Sequence, residues 1–205
     1  MDHETVTHLY RDGVDAIIAV TSSFDDASWA APACGTWDGA DTALHVLGVA
    51  RWYGQWLDRA LAGTTSLPFP ATEIDQHTNE NLEALRGIDG PTATEQFGKT
   101  ALAYLDRATD NWDLPYSYPY GTATVGLHLG VAATEWHLHA FDLARSIGRV
   151  HEPHDAPALF RAAGLCVAAT KPALRGAILR RLVALGARYR PWHTILRESG
   201  RKVDS

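Results

Sequence analysis

An all-α helical bundle is the fold class the sequence predicts, and three observations carry it. Apolar residues recur three and four apart through several long segments, as amphipathic helices require. No stretch of useful length alternates apolar with polar residues, and no glycine-rich phosphate loop is present. Proline, glycine and aspartate cluster between the periodic segments, where turns belong. With 205 residues, 46% of them hydrophobic, the chain can bury a substantial core. The expected organisation is a bundle over residues 1–170 followed by a basic helical extension over 171–205, packed on or near it.

The opening segment, residues 4–24, places Val6, Leu9, Tyr10, Val14, Ile17, Ile18 and Phe24 mostly at helical spacing, with Gly13 as its weak point. DDASWAAPACGTWDGAD follows with loop chemistry and two tryptophans able to anchor that loop to a core. From about Gly39 to Gly63 the sequence reads as a second helix, with Asp41 near its start, and its apolar residues cover more than one face, so it should be largely buried. A Pro-bounded connection leads to QHTNENLEALR, the beginning of another helix. Residues 91–108 form the next long helix, with apolar positions at Phe97, Leu102 and Leu105. NWDLPYSYPYGTA is too rich in Pro, Gly and Tyr to be helical and is expected to be a long loop setting aromatic rings near a bundle end. Residues 122–147 form the fourth long helix. Further helices are expected after Pro157 and through KPALRGAILRRLVALGARY, where Pro172 suits a first turn.

The formal charge of −6 is unevenly spread, at +7 over residues 171–205 and −13 over the rest. An acidic body argues against nucleic-acid binding, and the basic tail is expected to be solvated or paired with the body's acidic surface, with contact to a small anion as the alternative. Cys34 and Cys166 form no CxxC pair and are too few for a disulfide scaffold, which suits a reducing compartment. MDHETVTHLY lacks the basic start and apolar run of a secretory signal, and no later stretch holds eighteen unbroken apolar residues. A cytoplasmic protein that spans no membrane is expected.

The segment TEWHLHAFD carries the chemistry. On a helix Glu135 and His139 lie one turn apart on the same face, whereas His137 points elsewhere. Glu-x3-His supplies a carboxylate oxygen and an imidazole nitrogen to one point, sound geometry for a divalent metal and equally for a hydrogen-bonded pair. His45, flanked by Leu44, Val46 and Leu47 in the buried second helix, needs a partner to offset its desolvation. If the second and fourth helices pack together, His45, Glu135 and His139 form two imidazoles and a carboxylate with a coordination position left open; the alternative is a metal-free His–Glu pair in the core. His128, two turns before Glu135, can line the same cavity but not bind the same ion. Asp142 is a candidate partner for the second ring nitrogen of His139. Trp52 and Trp56 return to the His45 side of their helix and can wall the site. Cys34 and Cys166 read as buried structural residues, and His77, His151 and His154 as solvated.

SWAAPACGTWDGADTALHVLGVARW, with its Pro-x-Cys-x-x-Trp loop and helix-internal His, and EWHLHAFDLARSIGR, with its Glu-x3-His, together resemble the DinB-like superfamily. The resemblance is to the branch containing mycothiol-dependent maleylpyruvate isomerase and related thiol transferases, over residues 5–170. It implies a DinB-like four-helix bundle, a divalent metal, often zinc, on His45, Glu135 and His139, mycothiol as cofactor or cosubstrate, and a homodimer. The expected function is thiol S-transfer to a small electrophile or thiol-assisted isomerisation, with Trp52, Trp56 and His128 around the cofactor and Tyr116, Tyr118 or Tyr120 as proton donors. Metal-dependent hydrolysis of a small molecule and noncatalytic small-molecule binding by a metal-stabilised bundle are the alternatives. The isomerase carries a further α/β domain, for which this chain has only about 35 residues to spare.

Overall fold

The computed structural model describes residues 2–162 and 190–203. Four long helices form the bundle: α1 (His3–Thr21), α3 (Gly39–Leu61), α5 (Gly90–Thr109) and α6 (Val125–Ser146). Two short ones join them, α2 (Asp26–Trp29) and α4 (Ile74–Ala84), the latter after a 3-10 turn at Ala71–Glu73. Five of these helices begin on an oxygen acceptor that satisfies an otherwise orphaned backbone N–H: Asp2 accepts from Thr5, Asp25 from Ser28, Asp38 from Asp41, Asp89 from Thr92 and Thr124 from Leu127. α1 packs on α6 and α5, and α3 packs mainly on α5. The tight α1–α6 approach explains Gly13, since a Cβ there would lie 2.8 Å from the Trp136 Cβ. Trp136, fully buried, is the hub of the core, with the rings of Phe97, Tyr53 and Tyr10 centred 4.9, 5.5 and 6.0 Å from its own.

Two short hairpins interrupt the helical pattern. β1 (Pro32–Cys34) pairs with β2 (Trp37–Asp38) immediately before α3, and β3 (Pro115–Tyr118) pairs with β4 (Gly121–Thr124) immediately before α6. The second replaces the long loop expected of NWDLPYSYPYGTA. It is held by the register Pro115 to Thr124 and Tyr118 to Gly121, and Gly121 takes a φ of 140° that side chains disfavour. Each hairpin pins a loop to the start of a long helix, the first beside His45 and His139 and the second beside Trp56 and His128, and both contribute to the lining of one cavity.

Beyond α6, residues 156–162 are helical, and a C-terminal helix, Pro191–Glu198, buries Trp192, Ile195 and Leu196 in the common core. Trp192 Nε1 donates to the His151 carbonyl at 3.1 Å. His151 is therefore not the solvated loop residue its polar context predicts. It stacks on His137 with ring centroids 5.3 Å apart, and its Nε2 lies 3.1 Å from His137 Nδ1. His154 is exposed as expected, and His77 is partly covered by the Phe69 ring at 4.1 Å. Cys166 and the expected helix through residues 171–189 lie outside the described residues. No described helix is long and apolar enough to cross a membrane.

Candidate metal centre and cavity

A cavity of about 630 Å³ is lined by α3, α4, α6 and both hairpins. His45 reaches it from α3 and Glu135 from α6, with Cys34 at their side. His139, one turn beyond Glu135, is 5% exposed and sits just behind this wall. Helical periodicity brings the α6 pair together, with His139 Nε2 3.7 Å from Glu135 Oε2. α3 supplies His45, whose ring centroid is 4.9 Å from that of His139 and 4.6 Å from that of Trp37.

The two imidazoles differ in charge. Burial pulls His45 well below its ordinary pKa, and the neighbouring His139 and Arg201 charges push the same way, so its ring is neutral and keeps a lone pair to donate. Burial also opposes the charge on His139, but Asp142, Cys34 and Glu135 outweigh it and raise the group to about 9. His139 Nδ1 is buried and lies 3.3 Å from Asp142 Oδ2 without completing a regular hydrogen bond. Asp142 is in turn gripped by both arms of Arg201: Nε donates to Oδ1 at 2.8 Å and Nη2 to Oδ2 at 2.5 Å. Although burial pulls the other way, His139 and Arg201 hold the Asp142 carboxyl well below the usual carboxylate range.

Among the described residues, the three metal-competent donor atoms that come within 4.8 Å of one another are those of Cys34, His139 and Asp142. His45, Glu135 and His139 do not form such a group: Glu135 lies 3.7 Å from His139, and the His45 ring lies 4.9 Å from the His139 ring. Both sets share His139. They differ in their carboxylate: Asp142 is already engaged by a guanidinium, whereas the Glu135 side chain is 41% exposed and free to turn toward the cavity. Cys34, read from the sequence as a buried structural thiol, is a half-buried cavity residue instead. A neutral His45, a buried nitrogen on His139 and adjoining carboxylate and thiol groups fit a divalent cation.

The remaining expected residues divide. Trp52 and Trp56 line the cavity, their rings nearly parallel at 5.9 Å. His128 lines it from below, its Nδ1 bonded to the Tyr104 hydroxyl at 3.2 Å, and burial drives its pKa down to about 3. Tyr118 and Tyr120 reach the cavity from the second hairpin. Tyr116 does not, because its hydroxyl donates to the Tyr53 carbonyl inside the core. Arg201 and the α4 residues Asp75 and Asn79 escaped the sequence reading. No local pattern joins Arg201 to a partner 59 positions away, and α4 looked like an ordinary polar helix.

The family model described as the mycothiol maleylpyruvate isomerase N-terminal domain matches residues 10–144. The chain belongs to that family. Comparison with the curated proteins and with solved structures finds no match. The matched span of this mycothiol maleylpyruvate isomerase N-terminal domain contains Cys34, His45, Glu135, His139 and Asp142, and ends before Arg201. The chain thus belongs to a DinB-like, enzyme-associated family and carries a Cys/His/Asp cluster able to hold a metal ion.

Proposed function

We propose that the protein is a metal-dependent enzyme that uses a low-molecular-weight thiol, mycothiol, to transfer sulfur to, or isomerise, a small electrophilic metabolite. What supports this reading is that His45 and Glu135 line one aromatic cavity with His139 3.7 Å from Glu135, in a chain of the mycothiol maleylpyruvate isomerase N-terminal domain family. These three residues are the proposed ligands of a divalent cation, zinc above all. When bound there, the cation would supply Lewis acidity that favours thiolate over thiol at neutral pH.

The chain's own residues have separate tasks. His45 offers a neutral nitrogen. Glu135 supplies the negative oxygen and is exposed enough to adjust its position. Asp142 keeps the His139 ring oriented through Nδ1, and Arg201 keeps Asp142 ionised and fixed. Trp37, Trp52 and Trp56 displace water from the space in which an electrophile meets the sulfur. Tyr120, half-exposed and beside Glu135, is placed to give a proton to the group that gains negative charge as the sulfur bond forms; burial and the Glu135 and Asp75 charges keep its hydroxyl protonated. Tyr118 is the second such hydroxyl on this wall. The Cys34–His139–Asp142 cluster supports a metal in this region in the broader sense, and Cys34 is close enough to approach it.

Isothermal titration of zinc-loaded protein with mycothiol tests the proposal. Saturable binding near one thiol per chain, lost in H45A while helicity is retained, is expected. Equal thiol affinity in H45A and the native chain would remove the basis for the reading.

A further inference from the structure

The α4 side of the cavity carries a different chemistry from the Glu135 side. Asp75, Thr78 and Asn79 all line the cavity, and their spacing of three and four sets them in one stripe along α4. Asp75 and Asn79 are exposed and Thr78 is half-buried, so solvent reaches the stripe. α3 supplies an aromatic platform to the same cavity. The Trp52 and Trp56 rings are centred 5.9 Å apart at 17° to each other, and Phe69 stands edge-on to both. Trp56 is buried and Trp52 only half so, which leaves the outer ring of the stack within reach of a ligand while the inner one fixes its tilt.

Stripe and platform ask for one kind of molecule. A carboxylate accepts hydrogen bonds, an amide both donates and accepts, and a hydroxyl does either, so the stripe can pair with several neighbouring hydroxyl groups. An indole face carries negative charge and attracts the slightly positive C–H faces of a saturated ring. A wholly apolar ligand would strip water from the stripe without replacing its hydrogen bonds, and a small ion would leave the platform untouched. A cyclic polyol uses both. We propose that Asp75, Thr78 and Asn79 on α4, with the Trp52 platform, form a subsite for a neutral cyclic polyol, the sugar part of the thiol, its ring on the indole and its hydroxyls on α4. The inference rests on the thiol-dependent reading above for what the polyol is attached to. The Tyr120 hydroxyl feels the charges of both Glu135 and Asp75, so the stripe and the proposed sulfur position lie within one side chain's reach of each other. One small molecule spans both in a cavity of this size.

The test titrates full-length protein, with zinc and without it, with N-acetylglucosaminyl-inositol, a neutral thiol-free analogue of the sugar half of mycothiol, and with cyclohexanol, which keeps a saturated ring and one hydroxyl. The sugar should bind saturably to both forms of the protein, and cyclohexanol at least about tenfold more weakly, because it leaves most of the stripe unpaired. D75A and N79A, at exposed positions, should each weaken the sugar by about tenfold, the effect of losing a hydrogen bond in a site that excludes water. Q76A, on another face of α4, should leave it unchanged, and W52F should retain binding that W52A loses. No saturable sugar binding to either form, cyclohexanol binding as tightly as the sugar, or D75A and N79A binding as tightly as Q76A would overturn the proposal. The probes carry no thiol and need no ion, so mycothiol affinity unaltered by H45A sinks the thiol reading without touching this result. Mycothiol binding that H45A abolishes but D75A, N79A and W52A leave intact sinks the polyol subsite alone.

Discussion

Asp142 shows how much of the site depends on a residue that need not touch the metal. It is 2% exposed, lies against His139 Nδ1 and is neutralised by Arg201, so both its charge and its position are fixed. D142N should lower zinc affinity by about 10–100-fold, the usual effect of losing the partner that orients a ligating histidine. Competition with a chelator measures it, and unchanged affinity would mean that Asp142 only anchors the C-terminal segment. R201A leaves the buried Asp142 carboxylate with His139 as its remaining charged neighbour and should cost about 1–3 kcal/mol of unfolding free energy in denaturant titration. Helical spacing made the Glu135–His139 neighbourhood legible and apolar flanks marked His45 as a buried histidine, both of which the structure shows, while their role as ligands is a proposal. Cys34 was misread because its context is a Trp/Pro loop, and only the β1–β2 hairpin turns it into the cavity.

The long helices were legible because local signals agree: a capping Asp or Thr, an apolar stripe and a breaking residue. The hairpins were not, since strands of two to four residues are too short to show alternation, and Pro115 and Pro119 suggest irregular chain. They matter to the site because β3–β4 delivers Tyr118 and Tyr120 and withholds Tyr116. Helix contact can be tested at Gly13 and Gly54. Gly13→Ala forces a methyl to 2.8 Å from the Trp136 Cβ, which has no freedom to move, and should destabilise by about 1–3 kcal/mol. Gly54→Ala, in open space within α3, should stabilise by up to about 1 kcal/mol. Thermal midpoints moving in opposite directions check the pair; an unchanged midpoint for Gly13→Ala would contradict the tight α1–α6 approach, and a fall for Gly54→Ala the open space on α3.

For the whole molecule, buried histidines set the response to acid. His128, His137 and His151 are held neutral by burial, down to about 3, 4 and 4, against an ordinary 6.5. Below about pH 6.5 the unfolded chain takes up protons that the folded chain refuses, so stability falls as pH falls, by about 1.4 kcal/mol per unit for a fully buried group. His139 acts in the opposite sense. Its raised value means that it contributes fully below 6.5 in the metal-free protein and loses that contribution as pH rises through about 9. Asp142 contributes above 3.8 and loses it only in stronger acid. Metal-free protein should therefore show its highest thermal midpoint near neutrality, and a midpoint that rises from pH 6.5 to 4.5 would contradict the burial of the three neutral histidines. The bundle class was legible from the sequence at this scale, but the docking of Trp192 and Arg201 was not, because contacts between distant segments leave no periodic trace.

The central claim is that the ion is held by His45, Glu135 and His139, with a position left for a thiol. X-ray absorption at the zinc edge on thiol-free, zinc-loaded protein tests it most directly. The account predicts a shell of nitrogen and oxygen at about 2.0–2.2 Å with no sulfur, and one sulfur at about 2.3 Å once mycothiol is added. A sulfur at that distance before any thiol is present, disappearing in C34S, would instead assign the ion to Cys34, His139 and Asp142 and contradict the account.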